Sequence, residues 1–243
     1  MKTLPLWIAV LPLLPLTAAA GDVGEDPKVI VSAERDSEWN SYRHAYKAAA
    51  FFAHYTRSRP LIQAHMQIRP LEASAPLNGL SLHLVGEKTD ITIPVDGIGR
   101  AELPMLKQAY QDDAVLRLNR QKGNYYFSGR YSIREHADGV YDMAELRAAC
   151  EQLISAQRES GYRMRLIGKQ CQGIKFVYPA GATPEVRAQT GGPSGVLPLV
   201  DAHPFEGSSM GIYKVALYRF ADWPQQGKIQ TVSAPLAIGT LYD

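Results

Sequence analysis

The chain has 243 residues, 46% of them apolar and 21% charged. That is ordinary globular usage and argues against a wholly disordered chain, a collagen-like fibre or a long coiled coil. Its 26 Lys and Arg against 24 Asp and Glu leave a net charge of +2, too little for a general nucleic-acid binder, although a local basic patch is compatible with it.

Residues 1–20 have a basic start at Lys2, an apolar run from Leu4 to Leu16 broken by Pro5, Pro12 and Pro15, and small residues at Ala18, Ala19 and Ala20. This is the layout of a secretory signal peptide cleaved after Ala20. The run is short of the roughly 20 residues needed to span a bilayer, and no Cys near Ala20 offers a lipid anchor. The expectation is an exported, soluble, periplasmic protein with no transmembrane anchor in the mature form. Residues 21–35 are acidic and aperiodic and read as a flexible leader. Cys150 and Cys171 are the only cysteines. In an oxidising compartment they pair, and closing the loop between them contributes about 3 kcal/mol. A redox pair would show Cys-x-x-Cys, and two thiols without a nearby His set make a poor metal site.

From Asp36 to about His54, Trp39, Tyr42, Tyr46, Ala49 and Ala53 recur three or four apart. This predicts an amphipathic helix capped by Asp36 or Ser37, with its aromatic stripe on a core. From Leu61 to Arg134 the period becomes two. Ile62, Ala64, Met66 and Ile68 alternate with Gln63, His65, Gln67 and Arg69. Similar runs follow at Leu80–Leu84, Ile91–Val95, Leu116–Asn119 and Tyr125–Arg134, separated by turn residues at Asn78-Gly79, Asp96-Gly97 and Lys122-Gly123-Asn124. Asp142 with Glu145 starts a second helix, whose buried stripe is Met143, Leu146, Ala149, Cys150, Leu153 and Ile154. Tyr162, Met164 and Leu166 alternate with Arg163 and Arg165 as one arm of a hairpin, and Ile174, Phe176 and Tyr178 form the other. Residues 179–211 are rich in Pro and Gly and read as a long loop. Residues 212–243 carry two further strands that complete the domain begun at 36–178. The fold class is therefore mainly β (α+β): an antiparallel β-sandwich-like sheet with two packing helices and one disulfide.

Few motifs point to chemistry. Gly207-Ser208-Ser209-Met210-Gly211 fits G-x-S-x-G, but a nucleophile elbow needs strand, turn and helix around Ser209, and its acid and His should follow in the chain. His203 is the last His, so that order fails. Asp96-Gly97-Ile98-Gly99 lacks the third glycine of a nucleotide loop and reads as a turn. His65 and His83 sit on polar sides of two strands and, if those strands were neighbours, could share a metal. Asp112-Asp113 reads as a solvated turn. Charge placement is more informative. Arg163, Arg165, Lys169 and Lys175 form a basic run without an acid. Arg117, Arg120, Lys122, Arg130 and Arg134 lie on sheet segments, with Tyr126 among them. If these strands share a sheet, Arg117, Arg130, Arg134, Arg163, Arg165, Lys175 and Tyr126 make one basic, partly aromatic face for an anionic envelope component or an acidic envelope protein.

The runs IPVDGIGRAELPM (93–105) and DDAVLRLNRQKG (112–123), continuing through the helix at 142–154 to Tyr178, resemble a family of exported bacterial proteins of unknown function. At fold level the strands are similar to transthyretin-like and immunoglobulin-like sandwiches, an architectural likeness that implies no activity. The resemblance supplies no catalytic residues. The expectation is a non-enzymatic binding or accessory module of the cell envelope, without cofactor, acting through the basic face. The alternative is an envelope hydrolase using Ser209 or a His65/His83 metal site.

Overall fold

The structure is a computed structural model that describes residues 37–72, 74–121, 123–192, 194–206 and 210–243, with main chain alone at 37–40 and 121. The signal at 1–20, the leader at 21–35 and Ser209 lie outside the described residues. In chain order the first elements are β1 (Ser37–Ser41), α1 (Tyr42–Thr56), β2 (Ile62–Pro70), β3 (Ser81–Val85), β4 (Asp90–Pro94), β5 (Arg100–Ala101) and α2 (Lys107–Gln111). Then come β6 (Val115–Gln121), β7 (Tyr125–Ile133), β8 (Val140–Asp142) and α3 (Met143–Gln157). The last are β9 (Cys171–Tyr178), β10 (Val186–Gln189), β11 (Gly195–Val196), β12 (Leu199–Ala202), β13 (Tyr213–Arg219), β14 (Lys228–Thr231) and β15 (Ala237–Tyr242). Every strand pair is antiparallel.

The strands form a seven-stranded sheet, β12-β13-β9-β15-β7-β2-β5, and two four-stranded sheets, β1-β6-β3-β4 and β11-β10-β14-β8. With three α-helices among the described residues, this is a mainly antiparallel, β-sandwich-like α+β fold. The centre of the large sheet explains the layering. In β9, Ile174, Phe176 and Tyr178 enter a core with Leu146, Leu153 and Ile154 of α3, while Val177 enters a second core with Leu82, Leu84, Leu116 and Leu118 of β3 and β6. A strand covered on both faces reads as a near-continuous buried run, and residues 173–178 are all buried.

Local chemistry sets the helix boundaries. Residues 37–41 are extended rather than helical, because β1 pairs with β6 and puts Trp39 opposite Arg117. The first helix therefore begins at Tyr42 rather than after Ser37, and Asp36, the other expected cap, lies outside the described residues. The Tyr42 N–H donates to the Ala114 carbonyl at 2.8 Å, and Tyr42, fully buried, donates its hydroxyl to the Pro104 carbonyl. At α3, the Asp142 carboxylate accepts from the N–H groups of Ala144 at 2.8 Å and Glu145 at 3.2 Å, the N-cap that the sequence predicts.

Three further expectations change. The 162–166 segment is no hairpin arm: helical turns at Arg158–Tyr162 and Arg163–Leu166 carry the chain on from α3. Only Leu166 of the Tyr162, Met164 and Leu166 set is buried, and Met164 is 80% exposed, because β9 pairs with β13 and β15 instead. Residues 179–211 carry β10, β11 and β12 rather than one long loop. Finally, β6 and β7, on either side of Gly123, do not share a sheet, which a single basic face requires. β6 joins β1 and β3, whereas β7 joins β2 and β15, so the chain changes sheets there. The disulfide links Cys150 of α3 to Cys171 at the start of β9, with Cα atoms 6.1 Å apart.

Candidate functional site

Register decides which basic residues can meet. In the β2–β7 pair, His65 lies opposite Arg130, Gln67 opposite Ser128, and Arg69 opposite Tyr126, so these six share one side. That polar side is not a solvent face, since Gln67 and Ser132 are fully buried. The Gln67 amide donates to the Ile98 carbonyl at 3.1 Å and accepts from Arg130 Nε at 2.9 Å. The Arg130 guanidinium also lies 4.6 Å from the centroid of the Phe205 ring, a favourable cation–π distance. Arg69 stands 5.1 Å from the Tyr126 ring centroid.

A gap in the large sheet makes room beside Arg130. β7 and β15 pair at Ile133 and Ile238 alone, and past that point a cleft of about 320 Å³ runs from Ser128–Tyr131 of β7 to Tyr242 of β15. Its remaining wall is Gln157 at the end of α3 and the helical turns after it, which contribute Tyr162, Arg165, Leu166 and Lys169, with Arg69 and Glu206 also present. Arg158 holds this turn by donating to the Lys169 carbonyl at 2.7 Å. Four cations, Arg69, Arg130, Arg165 and Lys169, thus line one cleft with one carboxylate, and that carboxylate is already engaged: Glu206 Oε1 lies 2.5 Å from Lys175 Nζ. Among the described residues, no carboxylate lies within ion-pair distance of Arg130, Arg165 or Lys169.

The electrostatics follow from this crowding. Burial, with the Arg69 charge adding to it, lowers the Arg130 pKa to about 10, and the nearby Tyr162, Tyr242 and Tyr126 offset part of that. Arg130 remains cationic at neutral pH, in a state disfavoured by up to about 3 kcal/mol, which an anion beside it would relieve. Burial raises Tyr131 to about 12 despite the neighbouring Ser160 hydroxyl, and also raises Tyr242. Both phenols therefore stay neutral and able to donate. The Gln157 carboxamide oxygen is buried and has no hydrogen-bond partner among the described residues.

The cleft collects part of the basic face expected from the sequence. Arg130 and Arg165 line it, and Tyr126 stands behind Arg69. Arg117 is exposed in the β1-β6-β3-β4 sheet, opposite His83. Arg134 caps the Pro60 and Ile62 carbonyls, each at 3.0 Å. Arg163 is exposed and does not line the cleft. Lys175 is buried with Glu206. Arg69, Gln157, Tyr162, Glu206 and Tyr242 were not singled out as site residues. For Arg69 there was a usable signal, its place on the polar side of a strand whose neighbour carries Tyr126.

His65 and His83 do not form a shared site. They belong to different sheets, because β3 pairs with β4 and β6 rather than with β2, and His83 Nε2 meets Asp90 Oδ1 at 3.0 Å. Among the described residues no group of three or more His, Cys, Asp or Glu could hold a metal ion, and no helix is long and apolar enough to cross a membrane. His65 instead has its pKa pushed well below 6.5, by burial first and then by Arg100 and Arg130. As pH falls below about 6.5 the unfolded chain takes up a proton that the folded chain refuses, so stability falls. Between pH 7.5 and 5.5 His65 is expected to remove about 1.4 kcal/mol. Urea unfolding of the parent and of His65→Gln at both pH values checks this: the variant should lose that much less, and equal losses would refute it.

Comparison with protein-family models, curated proteins and solved structures finds no match for this chain.

Proposed function

We propose that this chain is an exported, periplasmic binding module that holds an anionic group in the cleft between β7 and β15, with no catalytic step. One observation carries the reading: four cations converge on one cleft whose single carboxylate among the described residues is committed to Lys175. Guanidinium forks and neutral phenols suit phosphate oxygens, through charge-assisted hydrogen bonds stronger than neutral ones. The export half of the reading rests on the pattern of residues 1–20 and on the disulfide, which suits an oxidising compartment.

Binding of inorganic phosphate tests the site. The protein should be stabilised against heat by millimolar phosphate more than by chloride at equal ionic strength. Reversal at the outer wall, Arg165→Glu with Lys169→Glu, is expected to weaken phosphate binding at least tenfold. The melting temperature without ligand should stay within a few degrees, because Arg165 is exposed and Lys169 only half-buried. Unchanged phosphate binding by this variant would refute the assignment. Arg163→Glu serves as the control, since Arg163 lies outside the cleft.

A further inference from the structure

We infer that the anion held in the basic cleft is the phosphate head of a single-chain amphiphile whose hydrocarbon tail lies in the groove under α1; this rests on the reading of the cleft as an anion site.

The groove has a volume of about 500 Å³ and lies between α1 and the β2–β7 pair. Ala45, Ala48, Ala49 and Ala53 of α1 line it with Met66 of β2 and Phe127 of β7, while Gln63, His65, Glu102 and Arg134 add polar groups to its wall. Its size is that of a pocket which buries most of a small ligand's surface. The groove adjoins the basic cleft, for Phe52, Ser128 and Gly129 line both. At their junction the Phe52 ring lies directly on Gly129: a Cβ there would fall 1.9 Å from Phe52 Cε2. Glycine therefore lets the aromatic ring sit against the strand where a groove walled by alanines on its helix side meets a cationic cleft. An occupant matched to both has a hydrocarbon chain at one end and an anion at the other. Four cations suit a phosphate monoester, which carries about −1.5 to −2 at neutral pH, better than a singly charged carboxylate.

The chain-length dependence of binding tests this. Inorganic phosphate, butyl, octyl and dodecyl phosphate, each below its micelle concentration, are titrated into the full-length mature protein. Affinity should rise about fourfold per methylene until the groove is filled, so octyl phosphate should bind more than 100-fold tighter than inorganic phosphate. Ala49→Phe fills the groove and should abolish that gain while leaving inorganic phosphate binding unchanged. If Ala49→Phe fails to fold, Ala48→Phe, at an exposed position on the same lining, replaces it. Alkyl phosphates that bind no tighter than inorganic phosphate would overturn the tail assignment and leave the anion site standing. A gain that persists with the groove filled would also overturn it. Tighter binding of dodecanoate or of dodecyltrimethylammonium than of dodecyl phosphate would overturn the head assignment. Failure of every phosphate to bind would remove both this inference and the function proposed above.

Discussion

Replacing both Cys150 and Cys171 with alanine is expected to lower the free energy of unfolding by about 3 kcal/mol, and the melting temperature by about 6–12 °C. The half-cystines are 21 positions apart, so the bond removes a moderate loop's worth of freedom from the unfolded chain. Cys150 is fully buried on α3 and Cys171 opens β9, the strand covered on both faces. The closed loop also contains Gln157, Tyr162, Arg165 and Lys169, which form one wall of the basic cleft. Opening the bond thus frees the turn that presents two of the four cations. Phosphate affinity is expected to drop several-fold even at temperatures where the variant is folded, since more of the loop must be ordered on binding. Urea unfolding and phosphate titration, with and without the bond, check the two effects separately. A stability loss below 1 kcal/mol would show that α3 and β9 are held by packing alone. Undiminished affinity would show that the Arg158 contact to the Lys169 carbonyl suffices to fix the turn.

What the sequence made legible was local. Period two marked β2, β3, β4, β6 and β7, and the stripe from Met143 to Ile154 marked α3, because each pattern reports which side of one element is buried. Pairing was not legible. Arg117 and Arg130 both stand on strands with polar neighbours, and only the change of sheet at Gly123 separates them; a turn residue there fits a hairpin and a crossover equally well. The 162–166 segment misled for a related reason. Five residues with alternate apolar character suit a strand, but Gly161, with φ of +104°, lets the chain turn at the end of α3 and continue helically. Lys175 fails in another way. Its position inside a buried strand depends on Glu206, 31 residues further on, in a stretch that composition marked as loop. The cleft itself exists because β7 and β15 part after a single paired position, and nothing in either strand's own residues announces a gap between them. Two members of the acid-free run from Arg163 to Lys175, Arg165 and Lys169, reach the cleft.

The other large effect is expected at Arg100, which the sequence presents only as a basic residue after a turn. Its side chain is 16% exposed and ties three segments together. Nε donates to Asp96 Oδ2 at 2.7 Å, Nη1 to Glu135 Oε1 at 2.6 Å, and Nη2 to the Leu236 carbonyl. Asp96 is itself committed to the turn, accepting from the N–H groups of Ile98 at 3.0 Å and Arg100 at 2.7 Å. Burial alone would lower the Arg100 pKa, yet Glu135 and Asp96 outweigh it and the pKa is raised, so the ion cluster holds the charge strongly. Arg100→Leu keeps the aliphatic bulk but strands two partly buried carboxylates. Removing one partner of a buried cluster costs about 3–5 kcal/mol, and the partial exposure of Asp96 and Glu135, 34% and 27%, places this variant near 3. Arg100→Lys should recover only part of the loss, because an ammonium cannot present a planar fork to two carboxylates and a carbonyl together. Adding Glu135→Leu to Arg100→Leu should recover about 1–3 kcal/mol, the coupling expected within one network. The same substitution removes the second cause of the low His65 pKa, so Arg100→Leu should also shrink the pH 7.5 to 5.5 difference in stability. Urea unfolding of these variants at both pH values measures all of it. A loss below 1 kcal/mol for Arg100→Leu, or additive single and double variants, would mean that the turn at Asp96, the Glu135 strand end and Leu236 are held in place without their shared arginine.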